Sequence, residues 1–147
     1  MMGNGIAGAV ILFNPAEDVF GNIESYAPFV KLLIVIDNSP SKNHALADKI
    51  KGSWNSVIIA NGENLGLAAA LNQAASIARE KGFEWLLTMD QDSRFEQGAM
   101  LSLEKAAFEH KDAGILSPVH VLVGDTECDG KAGWTPLRVT MTSGNLL

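Results

Sequence analysis

Apolar and polar residues alternate in blocks along the chain, and the apolar blocks predict the strands of a sheet. Four mostly apolar blocks are each closed by polar residues, at residues 6–13, 32–36, 56–60 and 83–89. Continuous blocks of this length are typical of strands that are buried on both faces, as in a parallel sheet. Shorter strands are predicted at residues 114–117, 119–123 and 137–141, the last two around a turn at Asp129-Gly130.

The segments between these strands carry helical patterns, which predict helices at residues 18–29, 44–51, 65–81 and 97–110. In the first, Asp18 is the expected N-cap and Pro28 lies near the end. In the longest, the apolar residues at the spacing of one helical face are Leu67, Ala70, Leu71, Ala74 and Ala78. Strands that alternate with helices predict an α/β fold, with a right-handed, Rossmann-like, mostly parallel sheet flanked by helices.

Composition narrows the class of protein. Of the 147 residues, 47% are apolar and 19% are charged, which suits a core and the size of one domain over residues 1–147. The formal net charge of −6 argues against nucleic acid as a partner, because such binding relies on clustered Lys and Arg. Cys128 is the single cysteine, which excludes an internal disulfide and a cysteine-rich zinc site.

No apolar segment approaches the roughly 20 residues of a membrane helix. The block at residues 6–13 has no basic residue before it and no small-residue cleavage pattern after it, so it does not fit a signal peptide. We therefore expect a cytoplasmic protein. Placement at the inner face of the plasma membrane would require a further region or a partner.

Polar residues gather where the predicted strands end. Asn14 follows the first strand, Asp37-Asn38 the second, residues 61–64 the third, and Asp90-Gln91-Asp92 the fourth. In open parallel sheets, ligands bind beyond the carboxyl ends of the strands. The pattern therefore predicts one ligand site that is built from these four segments.

The segment Asp90-Gln91-Asp92 is the sharpest chemical signal in the sequence. Residues i and i+2 of an extended segment project to the same side, so the two carboxylates can share a ligand. Oxygen ligands of this kind suit Mg²⁺ or Mn²⁺, and a cation held by one or two carboxylates still has room for substrate phosphates. The alternative interpretation is a structural turn that caps the next helix.

Two further segments are open to both a functional and a structural interpretation. The Asp37 carboxylate can accept a hydrogen bond from a base or a ribose, but Asp-Asn-Ser-Pro is also a strong turn sequence. Around Gly66, small residues allow close approach to the start of the longest helix, where anions are favoured. There Asn64 can equally be a plain N-cap, and Asn72 can fasten a neighbouring loop.

Taken together, these motifs resemble a known family, the family-2 inverting glycosyltransferases with the GT-A fold. The similarity lies in the order of Asn14-Pro15, Ile36-Asp37-Asn38-Ser39, the Asn64-x-Gly66-x-Ala68-x-Ala70-x-Asn72 pattern and Asp90-Gln91-Asp92-Ser93. The Asp-Gln-Asp-Ser version of the acidic motif is similar to bacterial rhamnosyltransferases. The resemblance covers about residues 6–145. It implies inverting transfer of a sugar, rhamnose from dTDP-rhamnose, to a glycan or lipid-linked acceptor in surface polysaccharide synthesis.

The resemblance also implies roles for individual residues. The implied nucleotide-sugar-binding residues are Asn14, Asp37, Asn38, Asn64, Gly66, Asp90 and Gln91. Among them, Asn14 would line the nucleotide pocket and Asp37 would contact the base. Asn64, with the helix start, would support the nucleotide. Asp90 and Asp92 would hold the metal, Mg²⁺ or Mn²⁺, with Asp90 also beside the ribose.

Two departures from the family's pattern shape the expectation. The usual Asp-Asn-Gly-Ser turn is here Asp37-Asn38-Ser39-Pro40, and the sequence shows no candidate general base. In the family that base lies beyond the position of Leu147, so we expect no catalytic residue in this chain and a GT-A domain truncated at its carboxyl end. Its apolar edge would then favour self-association.

Two other functions compete with this interpretation. One is a non-catalytic fragment or interaction module with the same fold, which metal-dependent nucleotide binding would distinguish. The other is a nucleotidyltransferase, which would need a Gly-rich, basic loop after the first strand. The segment Asn14-Pro15-Ala16-Glu17 has neither a glycine nor a basic residue.

Overall fold

A five-stranded sheet forms the centre of the computed structural model, which describes residues 5–118 and 145–147. Its strands are β1 (Ile6–Leu12), β2 (Leu32–Asp37), β3 (Ser56–Ala60), β4 (Trp85–Asp90) and β5 (Asn145–Leu146). They lie in the order β3-β2-β1-β4-β5. The first four are parallel, and β5 pairs antiparallel with β4. The predicted α/β fold with a mostly parallel sheet is confirmed, and it is consistent with the GT-A fold.

Four α-helices and one 3₁₀ helix connect the strands. They are α1 (Val19–Glu24), the 3₁₀ helix (Ala27–Phe29), α2 (His44–Ser53), α3 (Leu67–Glu80) and α4 (Ala99–Glu109). Helix α2 begins at Asn43, whose side chain accepts a hydrogen bond from the Leu46 N–H. No helix in these described ranges is long and apolar enough to cross a membrane.

Two apolar clusters lie on opposite faces of the sheet, because successive strand residues point to opposite sides. One cluster joins the sheet to α1, α2 and α4 through residues such as Val10, Ile23 and Ile50. The other joins the opposite face to α3, whose buried residues are Ala70, Ala74 and Ala78. Since alanine is small, α3 can lie close to the strands. The result is a sheet between two helical layers.

Two predictions of local structure were wrong, and a third was correct only in part. The single helix predicted over residues 18–29 is divided into α1 and the 3₁₀ helix, because Pro28 has no N–H to donate to the Glu24 carbonyl. Asp18 is the N-cap residue of α1, as predicted, but its side chain makes no capping hydrogen bond. The strand predicted at residues 114–117 is reduced to an isolated bridge at Leu116, since its neighbour Ile115 is 52% exposed.

The remaining boundaries agree to within about two residues. The strands predicted at 119–123 and 137–141, and the turn at Asp129-Gly130, lie outside the described residues. Strand β5 lies in the apolar ending of the sequence, a pattern that indicates a strand, so this prediction is confirmed. Its pairing opposite Leu87 and Thr88 is a long-range contact that the sequence does not show.

Candidate functional site

The carboxyl ends of β1, β2 and β4 meet at the centre of one edge of the sheet. Asp37 is in register with Leu12 of β1, and Asp90 is in register with the preceding residue, Ile11. The chain leaves β1 toward β2 on one side, while β4 lies on the other side. Such a switch point opens a crevice at the carboxyl ends of the strands. The two acidic segments thus lie on either side of the end of β1.

The turn after β2 is buried and is fastened by its own side chains. Asp37 Oδ1 accepts a hydrogen bond from the Ser39 N–H at 2.9 Å, which makes a turn of the kind that Asp favours. Asp37, Asn38 and Ser39 are each less than a tenth exposed. The structural interpretation of this motif is therefore correct for Asp37 Oδ1. Contact of the same carboxylate with a base stays a prediction.

The turn after β1 depends on the turn after β2. The Asn14 N–H donates to Ser39 Oγ at 2.8 Å, and the Asn38 N–H donates to the Leu12 carbonyl at 2.8 Å. Asn14 has a φ of 43°, in the left-handed region that Asn tolerates better than most residues. Its side chain is exposed at the edge of the sheet. The position fits the predicted role in lining a pocket.

Three side-chain amides join the ends of β2 and β3 to α3. Asn38 Nδ2 donates to the Gly66 carbonyl at 3.3 Å, and Asn38 Oδ1 accepts from Asn61 Nδ2 at 2.7 Å. Asn61 and Gln73 exchange two further bonds, at 3.0 and 3.1 Å. The loop that precedes α3 is therefore held at both ends. Asn72, which we expected to fasten a loop, is exposed instead, and its neighbour Gln73 has that role.

The start of α3 differs from the prediction. Asn64 Oδ1 accepts the Gly66 N–H at 2.9 Å, so Asn64 closes a turn before the helix and is not its N-cap. Gly66 holds the N-cap position with a φ of 83°, without a side-chain hydrogen bond to the helix. Glycine adopts this conformation without strain. Because Gly66 contacts Asn38, the start of α3 lies beside the end of β2.

The acidic segment lies in the turn that follows β4. Asp90 is half-buried at the end of the strand and Asp92 is exposed. The Ser93 N–H donates to the Asp90 carbonyl at 3.3 Å, which closes the turn. The arrangement of Asp90 and Asp92 leaves the Asp92 carboxylate accessible to a ligand from solvent.

These carboxylates fit a site for Mg²⁺ or Mn²⁺ that is completed by a substrate. In the part of the chain that the structure describes, no group of three or more His, Cys, Asp or Glu side chains is placed to hold a metal alone. Two carboxylates at the end of β4 are what a cation shared with phosphate oxygens requires from a protein. The fit rests on this donor set.

Several hydrogen-bonding residues around the site, Asn22 and Ser25 among them, were not singled out from the sequence, whereas Gln91 was. Gln91 bonds to the backbone of Phe13, and Asn22 Nδ2 donates to the Gln91 carbonyl at 3.0 Å. Ser25 Oγ accepts the Phe95 N–H at 3.0 Å. These partners are 69 to 78 residues apart in the chain. No local pattern identifies such contacts, because they depend on how the end of β1 and helix α1 pack beside the turn after β4.

Comparison with known proteins agrees with this architecture. Residues 17–138 of the sequence match the family described as Glycosyl transferase family 2. The chain is similar in structure to TarS from S. aureus, with a TM-score of 0.59 and 18% identity over 73% of this chain and 20% of that one.

A shorter form, S. aureus TarS 1–349, gives the same TM-score and identity over 77% of this chain and 34% of its own. The chain therefore spans about a fifth to a third of the length of these structures. At this identity the similarity concerns the fold. No curated protein matches the sequence.

Proposed function

The chain belongs to glycosyl transferase family 2, and from that membership we propose that its carboxyl-edge site binds the nucleotide-diphosphate part of a sugar donor together with Mg²⁺ or Mn²⁺. The family implies a glycosyltransferase with a nucleotide-sugar donor and an acceptor. The observation that supports the location is the register of Asp37 with Leu12 and of Asp90 with Ile11. It places one acidic segment on each side of the end of β1.

In this proposal each side of the crevice takes one part of the donor. On the β2 side, the Asp37 carboxylate and the exposed Asn14 turn contact the nucleoside, and the adjacent start of α3 supports it. On the β4 side, Asp90 and Asp92 hold the cation. When bound, the cation would neutralise the charge on the diphosphate that leaves. The amide contacts of Asn38 fix the relative position of β2, β3 and α3 around the nucleoside.

The proposal also concerns which sugar is transferred. Transfer from dTDP-rhamnose, to a glycan or lipid-linked acceptor in surface polysaccharide synthesis, rests on the resemblance of Asp90-Gln91-Asp92-Ser93 to rhamnosyltransferases. Placement in the cytoplasm, at the inner face of the plasma membrane, belongs to the same proposal. An inverting transfer also needs a carboxylate that deprotonates the acceptor hydroxyl. No described residue is assigned to that step.

Calorimetric titration tests the proposal directly. The protein is titrated with dTDP and with UDP, each with and without Mn²⁺, and the titration is repeated on Asp92→Ala. Asp112→Ala is the matched control, because Asp112 is also an exposed turn aspartate but follows α4. We expect metal-dependent binding that Asp92→Ala weakens at least about tenfold and the control leaves unchanged.

Preference for dTDP over UDP would support rhamnose transfer, and equal binding would contradict it. The absence of binding to either nucleotide, by protein shown to be folded by circular dichroism, would overturn the donor-site proposal. It would favour the interaction module instead.

A further inference from the structure

Gln91, the residue between the two acidic side chains, uses its side-chain amide on the backbone of Phe13, the residue that follows β1. Gln91 Oε1 accepts the Phe13 N–H at 2.8 Å, and Gln91 Nε2 donates to the Phe13 carbonyl at 3.2 Å. A single planar amide therefore satisfies both backbone groups of one residue. The two residues are 78 positions apart in the sequence.

These two hydrogen bonds continue the pairing of β1 with β4 by one residue, at the point where the two strands separate. Asp90 is the last residue of β4 in register with β1, opposite Ile11. Beyond it the β4 backbone turns away, and the Gln91 side chain supplies a donor and an acceptor that two successive peptide groups of a continued strand would have offered. The turn carrying Asp90 and Asp92 is thereby tied to the segment that carries Asn14.

Helix α1 holds the same turn from a second direction. Asn22 Nδ2 donates to the backbone carbonyl of Gln91 at 3.0 Å. Ser25 Oγ donates to the Asn22 carbonyl at 2.6 Å and accepts the Phe95 N–H at 3.0 Å. Residues 91–95 are therefore attached to Phe13 at one end, and to Asn22 of α1 and Ser25 at its C-cap at two further points. Such attachments restrict the motion of a segment that would otherwise be an exposed loop.

We propose that Gln91 is a positioning residue, which holds the Asp90–Asp92 turn at a fixed distance from the Asn14 turn and so sets the affinity of the site for the divalent cation. The inference rests on the proposed function, since it concerns the same cation. It assigns Gln91 a different role from direct contact with the nucleotide. Both polar atoms of its side chain are engaged by Phe13 in the structure.

Substitutions at Gln91 can remove one or both of its hydrogen bonds to Phe13. Gln91→Met keeps the length of the side chain but loses both hydrogen bonds. Gln91→Glu keeps the acceptor for the Phe13 N–H and loses the donor to the Phe13 carbonyl. Asn22→Ala removes the contact from α1 alone. Gln97→Met is the matched control, because Gln97 is an exposed glutamine on the same connecting segment.

The first measurement is hydrogen exchange of the backbone amides in the absence of any ligand. We expect Gln91→Met to accelerate exchange at the Phe13 N–H and across residues 90–95, and Gln97→Met to leave both unchanged. Unchanged exchange in Gln91→Met would overturn the positioning role. This result does not depend on whether the protein binds a nucleotide, so it separates the failure of this inference from the failure of the proposed function.

The second measurement is calorimetric titration with dTDP, with and without Mn²⁺. We expect Gln91→Met to weaken Mn²⁺-dependent binding by about tenfold or more, the range found when residues that orient metal ligands are changed. Binding of dTDP without Mn²⁺ should stay within about twofold of the unsubstituted protein, because Asp37 and Asn14 keep their contacts. Gln91→Glu and Asn22→Ala should give smaller losses of the same kind.

An equal loss of dTDP affinity with and without Mn²⁺ would show that Gln91 contacts the nucleotide itself, and would overturn the inference. Wild-type Mn²⁺-dependent affinity in Gln91→Met would do the same. No dTDP binding by the unsubstituted protein would refute the proposed function, and hydrogen exchange would then decide the positioning role alone.

Discussion

The Asn14 N–H donates a hydrogen bond to Ser39 Oγ over 2.8 Å, so the turn after β1 is supported by a side chain from the turn after β2. The same Ser39 donates its own N–H to Asp37 Oδ1. A change at Ser39 therefore affects two turns at once. The bond to Ser39 also explains how Asn14 can be held at a φ of 43° in an exposed position, because the buried Ser39 hydroxyl fixes the Asn14 N–H.

Replacing Ser39 with Ala should lower the free energy of unfolding by about 1 kcal/mol, the usual net contribution of one hydrogen bond. The physical reason is that the Asn14 N–H loses its acceptor while the backbone bond of residue 39 to Asp37 remains. Urea denaturation measures the loss. Ser41→Ala is the control, because Ser41 is exposed two residues further on. Equal stability of the two variants would contradict the role given to Ser39 Oγ.

Replacing Gln73 with Met should destabilise the protein by about 1 kcal/mol and loosen the loop before α3. The substitution removes both bonds between Gln73 and Asn61, so that the described bonds of Asn61 are then its side-chain bond to Asn38 and its backbone bond to Asp37. Urea denaturation and amide exchange at residues 61–66 report the two effects. Asn72→Ala, at the exposed neighbouring position, should be neutral or slightly stabilising because Ala favours helices. A larger loss for Asn72→Ala than for Gln73→Met would contradict the network.

Replacing Ala74 with Leu should cost about 1–3 kcal/mol, since the extra atoms overfill a packed interface. Ala74 is fully buried between α3 and the sheet, and Ala75 on the same helix is exposed. Ala75→Leu adds the same side chain outside the interface and should change stability by less than about 0.5 kcal/mol. Thermal unfolding of both variants makes the comparison. A similar effect at the two positions would show that α3 does not pack closely on the strands.

Tyr26 should resist ionisation until the protein unfolds. Its hydroxyl is buried with no hydrogen-bond partner among the described residues, and burial raises the pKa of Tyr26 well above its ordinary value of 10.0. Above pH 10 the tyrosine of the unfolded chain ionises while buried Tyr26 does not. The contribution of Tyr26 to the free energy of unfolding is therefore complete below pH 10 and declines as the pH rises above it. Tyr26 is the one tyrosine in the sequence, so tyrosinate absorbance reports it alone. Absorbance that rises near pH 10 in folded protein would contradict the burial.

The variant Tyr26→Phe separates burial of the ring from the hydroxyl. Because the hydroxyl is unpaired, we expect the variant to be as stable as the original or up to about 1 kcal/mol more stable at neutral pH. Its stability should also decline less above pH 10. A loss of more than about 1 kcal/mol in Tyr26→Phe would reveal a hydrogen bond that the structure does not show.

The order of the strands and helices could be predicted from the sequence, because the apolar patterns that identify them are local. The apolar blocks of β1, β2 and β4 are mostly buried on both faces, that of the edge strand β3 is partly buried, and the alanines of α3 recur on one side. The ends of these strands therefore marked the position of the candidate site. Burial of Asp37 was not predicted, since an aspartate in a turn is ordinarily exposed.

Features that depend on long-range contacts were not accessible from the sequence. The resemblance implied nucleotide binding for Gln91, which stays a prediction, but nothing local in the sequence indicated that its side chain bonds to Phe13. Asn64 is a residue type that often caps helices, but Gly66, with a φ of 83°, takes the N-cap position of α3 instead. The break between α1 and the 3₁₀ helix combines a local cause, Pro28, with the contact of Ser25 to Phe95, 70 residues away.

The measurement that most directly tests the central claim is a map of backbone amide chemical shifts during titration with dTDP and Mg²⁺, followed by replacement of Mg²⁺ with Mn²⁺. We expect shift changes at Asn14, Asp37 and residues 64–67. We also expect paramagnetic Mn²⁺ to broaden the signals of residues 90–93 in the protein but not in Asp92→Asn. Changes centred instead on the opposite edge of the sheet, around Trp85 and Phe108, would contradict it.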